Sequence, residues 1–168
     1  LAGLERVGAV CQQGLESMLA VHALDVRPGH AVLSTSAVQL AKTTQILRCL
    51  DGRGLLVAVD TCGRRTAANF RRAGALGGTC GPLVAVFGEV GALSFGRSFD
   101  RVLLDARSSG DGNVRRSGAA AAGAEAAARF HRAQVGELTA ALRHLAPGGR
   151  LVYSTCALDP SENEGVVR

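Results

Sequence analysis

Short apolar runs that end on a carboxylate, separated by stretches of helical spacing, constrain this chain more than any other feature. Leu55–Val59 is a continuous apolar run closed by Asp60, and Arg101–Asp105 carries Val-Leu-Leu closed by Asp105. Runs of this kind read as strands buried on both faces of a parallel sheet. Ala31–Leu33 and Leu83–Phe87 are further short strands, and Arg150–Ser154 starts another after the Pro147-Gly148-Gly149 break. Helical spacing fills the gaps. Residues 12–25 place Leu15, Met18, Leu19 and Ala23 on one helical face, and residues 39–50 turn Leu40, Thr43, Leu47 and Leu50 inward. Arg64–Ala73 and Ala124–Leu145 predict two more helices. Arg27-Pro28-Gly29 and Asp51-Gly52-Arg53-Gly54 are turns by composition. Ser108–Gly118 is rich in small polar residues and predicts a loop; the alanine-rich stretch 119–128 favours helix.

Strands alternating with helices predict an α/β fold with a mostly parallel central sheet. A length of 168 residues suits one domain, and 47% hydrophobic against 20% charged residues excludes a wholly disordered chain. No run of eighteen apolar residues occurs and no signal-peptide pattern opens the chain, so no membrane partner is expected. The chain opens on Leu1 and is expected to be one core, residues 1–168, of a longer protein. The five cysteines include no C-x-x-C pair, so no metal site is expected and reduced thiols fit better than disulfides. The net charge of +5 permits an RNA partner without demanding one. With 4% aromatic residues and no tryptophan, recognition of bases by aromatic platforms is excluded as the main mode.

In parallel α/β sheets ligands sit beyond the carboxyl ends of the strands, which puts the residues after Leu33, Asp60, Asp105 and Thr155-Cys156 on the functional edge. A carboxylate at Asp60 can accept from two ribose hydroxyls of a nucleoside cofactor; the plainer alternative is a turn with Cys62-Gly63. Asp105 can orient a base amino group or cap its loop. Cys156 at a strand end can add as a thiolate to an electron-poor double bond, or be an inert thiol. Asp159 to Glu164 can cap a following helix, and Arg115-Arg116 can contact phosphate or be a solvated pair.

At these residues a resemblance emerges. Tyr153-Ser154-Thr155-Cys156-Ala157, followed by Glu162-Asn163-Glu164, resembles the Y-S-T-C-S and E-N-E signature of the Sun/Fmu family of S-adenosylmethionine-dependent RNA cytosine-5 methyltransferases. Phe99 to Ala106 is similar to the strand before that family's D-A-P-C-S-G loop, and Leu145-Ala146-Pro147-Gly148-Gly149 to its L-K-P-G-G turn. Gln13 to His22 with the Arg27-Pro28-Gly29 turn is similar to its opening segment. The resemblance implies a Rossmann-like class I methyltransferase fold. It implies that Cys156 attacks carbon 6 of an unpaired or extruded cytosine, that Asp105 holds and protonates the base, and that Asp60, Lys42 and Ser34 mark the cofactor site. A second cysteine, in the P-C motif, would assist release of the adduct.

Departures from the pattern are concentrated in two loops. Where the family has D-x-C-A-A-P-G-G-K-T, this chain has Ser34 to Thr43, keeping only Ala37, Lys42 and Thr43; Ser34 replaces the acid, and Leu40 and Ala41 replace the glycines. Side chains there compete with a ligand for space. In the second loop Arg107 and Ser108 replace Pro-Cys, and a hydroxyl does not supply thiolate chemistry at neutral pH. The expectation is therefore a pseudoenzyme: a catalytically degenerate relative that serves as an rRNA-binding or structural factor in ribosome assembly, with ribosomal or assembly proteins as partners and no bound cofactor. The alternative is an active rRNA cytosine-5 methyltransferase using S-adenosylmethionine and Cys156. By analogy a mitochondrial setting is favoured over a cytoplasmic one.

Overall fold

A computed structural model describes residues 12–35, 40–64, 82–113 and 124–168. Its centre is a five-stranded, all-parallel sheet: β1 (Ala31–Ser34), β2 (Leu55–Asp60), β3 (Leu83–Phe87), β4 (Phe99–Asp105) and β5 (Leu145–Ser154). The spatial order β3-β2-β1-β4-β5 means that the chain works outward to one edge and then crosses back beside β1. Leu33 lies opposite Val57 on one side and Val102 on the other.

Burial follows the pleat on both faces. Val32, Leu56 and Leu103 point to one side, where they meet Val21 and Leu24 of α1 (Leu15–Leu24) and Ile46, Leu47 and Leu50 of α2 (Leu40–Leu50). Leu33, Val57, Val102 and Leu104 point to the other, against Ala140 and Ala141 of α3 (Ala124–Arg143). Successive residues thus serve opposite cores, which is why these strands lack a polar alternation in the sequence. The expected α/β, Rossmann-like fold with a mostly parallel sheet is the observed one. A four-residue helix, α4 (Glu164–Val167), closes the chain after a 3-10 turn at Pro160–Glu162 that Asp159 caps. Among the described residues no helix is long and apolar enough to cross a membrane.

Several expectations need correction. Leu15, Met18 and Leu19 do not face the core: they are 69%, 43% and 57% exposed, and Ala23 is exposed as well. α1 is apolar on nearly every side, so spacing could not choose its buried face; contact with α2 and β5 chooses Val21 and Leu24 instead. The long helix ends at Arg143 rather than Leu145, because Leu145 pairs with Phe99 as a strand residue. β4 accordingly begins at Phe99, whose N–H donates to the His144 carbonyl at 2.8 Å. The Pro147-Gly148-Gly149 segment does not precede β5 but bulges inside it: Phe99 pairs with Leu145 and Arg101 with Arg150, so two steps on one strand meet five on the other. A bulge tolerates the missing proline N–H, and Gly148 takes φ +76° there. Most of the expected helix Arg64–Ala73 and residues 114–123 lie outside the described residues.

Candidate active site

The crossover between β1 and β4 is where the strand order reverses, and a cleft opens there beyond the strand ends. Its volume is about 620 Å³, within the range of roughly 300–1,000 Å³ typical of small-molecule sites. Thr35, Asp60, Gly88, Asp105, Arg107 and Glu137 contribute to its wall.

Asp60 ends β2 and is 9% exposed. Its Oδ1 accepts the Cys62 N–H at 2.7 Å, so the carboxylate holds the turn and lines the cleft at once. The two sequence readings of this residue are therefore compatible. Its backbone carbonyl accepts from the Gly88 N–H at 3.0 Å, which brings the end of β3 to the same rim.

Asp105 ends β4 and forms an ion pair with Lys42 from the first turn of α2, Nζ to Oδ2 2.9 Å, with side chains 7% and 4% exposed. Two charges so far from water are tolerated because each neutralises the other. Lys42 thus reaches Asp105 and is not itself on the cleft wall, while Asp105 is. Ser34 is fully buried, and it is Thr35 that meets the cleft, its N–H donating to the Leu103 carbonyl at 3.0 Å. Ser34 Oγ, Thr35 Oγ1 and Thr43 Oγ1 are buried hydroxyls that find no partner among the described residues. Of these, Thr35 lines the cleft, where a polar ligand could complete its hydrogen bonds. Residues 36–39 and the Leu40 side chain lie outside the described residues. The neighbouring Ala41 is off the cleft wall, and its carbonyl accepts from Gln13 Nε2 at 2.7 Å and Thr44 Oγ1 at 3.0 Å.

Cys156 is an exposed free thiol in the loop after β5. That loop is stitched to the one following Asp105. The Ala106 N–H donates to the Ser154 carbonyl at 2.8 Å, the Gly112 N–H to the Cys156 carbonyl at 3.1 Å, and the Leu158 N–H to Asp111 Oδ1 at 2.6 Å. The fit is close: a Cβ at Gly112 would stand 2.6 Å from the Cys156 oxygen. The structure therefore joins the Cys156 and Asp105 loops, and sets Asp105 and Asp60 on one cleft. Arg115 and Arg116 lie outside the described residues.

Sequence reasoning missed the wall supplied by α3. Arg107, which stands where the resembled family has proline, pairs with Glu137 at 3.0 Å across the rim. It also missed Gln134, which is fully buried and donates to the Arg107 carbonyl at 2.9 Å. No local signal marks either partner, since both lie mid-helix among ordinary polar residues. Tyr153 next to this region has its phenol pushed up to about 12, mainly by burial and further by the negative charges of Glu162 and Glu137, so it remains a hydrogen-bond donor. The Ser161 hydrogen bonds hold the Asp159 carboxyl below its usual range. Among the described residues no group of three or more His, Cys, Asp or Glu is placed to hold a metal ion.

Known proteins resemble this chain in sequence and in fold. Residues 21–168 match the family described as 16S rRNA methyltransferase RsmB/F. The chain is 34% identical to a tRNA (cytosine(49)-C(5))-methyltransferase of Pyrococcus abyssi, over 96% of this chain and 52% of that protein. It is 35% identical to a ribosomal RNA small subunit methyltransferase F of Vibrio vulnificus, over 92% of this chain and 34% of that protein. Among solved structures it is similar to NSun6 from Pyrococcus horikoshii with SFG, at a TM-score of 0.86 and 30% identity over 99% of this chain and 43% of the other. A methyltransferase homolog from Pyrococcus horikoshii gives a TM-score of 0.84 and 29% identity, over 96% and 50%. The chain thus spans between a third and about half of the length of these relatives.

Proposed function

The chain belongs to the 16S rRNA methyltransferase RsmB/F family, and from that membership we propose that it is the core of an S-adenosylmethionine-dependent RNA cytosine-5 methyltransferase with Cys156 as its nucleophile. The observation that carries this reading is the joined pair of loops: the exposed Cys156 thiol on one, and on the other Asp105, fixed by Lys42 at the wall of a cleft that Asp60 also lines.

The residues present fit the cofactor in size and polarity. Asp60 would hold its ribose hydroxyls, with Thr35 on the same wall. When bound, S-adenosylmethionine supplies an electrophilic methyl group. The Cys156 sulfur adds to carbon 6 of an unpaired cytosine and moves ring electrons to carbon 5, which takes the methyl. Asp105, oriented by Lys42, would accept from the exocyclic amino group of the base and, when protonated, donate its proton to the ring nitrogen on which negative charge gathers. Transfer of the carbon 5 proton to a water molecule then breaks the carbon 6–sulfur bond and expels the Cys156 thiolate. Ser108 is a poor base for that proton, so release is the slow step in this reading.

A specific observation favours a second reading, the one preferred from the sequence. Leu40, Ala41, Arg107 and Ser108 stand where the resembled family has its loop glycines and its Pro-Cys pair. In that reading the chain is a degenerate rRNA-binding factor of ribosome assembly, working with ribosomal or assembly proteins, in a mitochondrial setting by analogy. The cleft lined by Asp60 and Asp105, together with the Lys42 that pairs with Asp105 and the exposed Cys156 thiol, weighs toward the enzyme.

Isothermal titration with S-adenosylmethionine, followed by methyl transfer to rRNA transcripts, separates the two. Binding that is lost in Asp60→Ala, together with an SDS-stable RNA adduct that is lost in Cys156→Ser, is the expected result. Absence of cofactor binding combined with retained RNA crosslinking would transfer the assignment to the second reading.

A further inference from the structure

We propose that Glu162 is a positioning residue, which from a fully buried site fastens the loop after Asp105 to the segment that carries Cys156 and so fixes the thiol relative to Asp105. The inference rests on the reading of Cys156 as nucleophile and adds the device that aims it.

Carboxylates are almost never fully buried without partners, and Glu162 is 0% exposed. Its Oε2 accepts the Ser109 N–H at 3.0 Å and Gln134 Nε2 at 2.9 Å. Gln134, also 0% exposed, donates through the same nitrogen to the Arg107 carbonyl at 2.9 Å. The Glu162 carbonyl accepts the Tyr153 hydroxyl at 2.7 Å. One residue therefore binds the loop holding Ser108, helix α3 and the end of β5, from a 3-10 turn that begins four residues after Cys156. The turn cannot drift, because Asp159 Oδ1 accepts from Ser161 N at 2.8 Å and Asn163 Nδ2 donates to the Ala157 and Asp159 carbonyls at 3.0 and 2.9 Å.

A purely stabilising role does not account for this carboxylate. Glu162 Oε1, Gln134 Oε1 and Ser109 Oγ are buried with no partner among the described residues. Incompletely satisfied polar networks cost stability that a hydrocarbon side chain of similar volume would not. What the network supplies is a fixed geometry between two loops from distant parts of the chain. Ser109 follows Ser108 directly, so the clamp sets the spacing between the Cys156 thiol and the position from which the base must lose its proton.

The test is the rate at which iodoacetamide alkylates Cys156 in the whole chain, resolved by peptide mass spectrometry, with the other cysteines as internal controls. It needs neither cofactor nor RNA. Glu162→Ala is expected to change the Cys156 rate by at least about fivefold while Cys49 and Cys62 stay within about twofold. Glu162→Gln, which keeps an acceptor for Ser109 and Gln134, is expected to restore the wild-type rate. Tyr153→Phe removes one bond while keeping the ring, and is expected to shift Cys156 selectively in the same direction; it serves as the test should Glu162→Ala not fold. A folded variant with an unchanged Cys156 rate, a common shift of all cysteines, or no rescue by glutamine would overturn the proposal. Selective, rescued Cys156 reactivity in a chain without methyl transfer would instead sink only the enzymatic reading.

Discussion

Asp105 and Lys42 form a buried pair at the end of β4. Each charge is buried, and each offsets the other's loss of water. Asp105→Asn removes the carboxylate from Lys42 and is expected to destabilise the chain by about 3–5 kcal/mol, read by urea unfolding. Pairing it with Lys42→Met should recover much of that loss, because the uncompensated charge goes too. Tyr153 offers a pH handle at the same scale. It is the only tyrosine and there is no tryptophan, so phenolate absorbance reports it alone. Its folded pKa of about 12 lies above the ordinary value of 10. The folded state therefore holds the proton more tightly than the unfolded one above pH 10, and stability falls as pH rises from about 10 towards 12. A folded-state absorbance midpoint near 10 would contradict this.

Among the elements, the central strands carry the core and α1 lends only one side to it. Leu103 is 0% exposed between β1 and β5, facing α1 and α2, whereas Leu19 is 57% exposed on α1. Leu103→Ala is expected to cost about 2–5 kcal/mol and Leu19→Ala at most about 0.5 kcal/mol, measured by denaturant unfolding. A large loss from Leu19→Ala would restore the face that spacing first selected. The strands, α2 and the Asp159 cap were legible because each is set by neighbours within a few residues: a continuous apolar run, a 3.6-residue period, an Asx residue before proline. The buried face of α1 was not, since Leu15, Met18, Leu19, Ala20, Val21, Ala23 and Leu24 give every side a claim. Nor was the bulge in β5, because Pro147-Gly148-Gly149 reads locally as a break and only pairing with β4 carries the strand through it.

For the molecule as a whole, the decisive quantity is whether the cleft takes S-adenosylmethionine. A ligand that binds only the folded chain stabilises it by about 2.7 kcal/mol at a hundred times its Kd, and a chain of this size gains about 2–4 °C in Tm per kcal/mol. S-adenosylmethionine is expected to raise Tm by that margin, with Asp60→Ala abolishing the rise; no rise at millimolar ligand would favour the RNA-binding factor. The sequence by itself determined the parallel α/β order and the placing of Asp60, Asp105 and Cys156 at strand ends, because periodicity and strand termination are local properties of the chain. Only the tertiary structure decided that Lys42 serves Asp105, that Arg107 closes on Glu137, and that Gln134 and Glu162 tie the two loops together. Those contacts join residues far apart in sequence, and their partners are chosen by how the helices dock on the sheet.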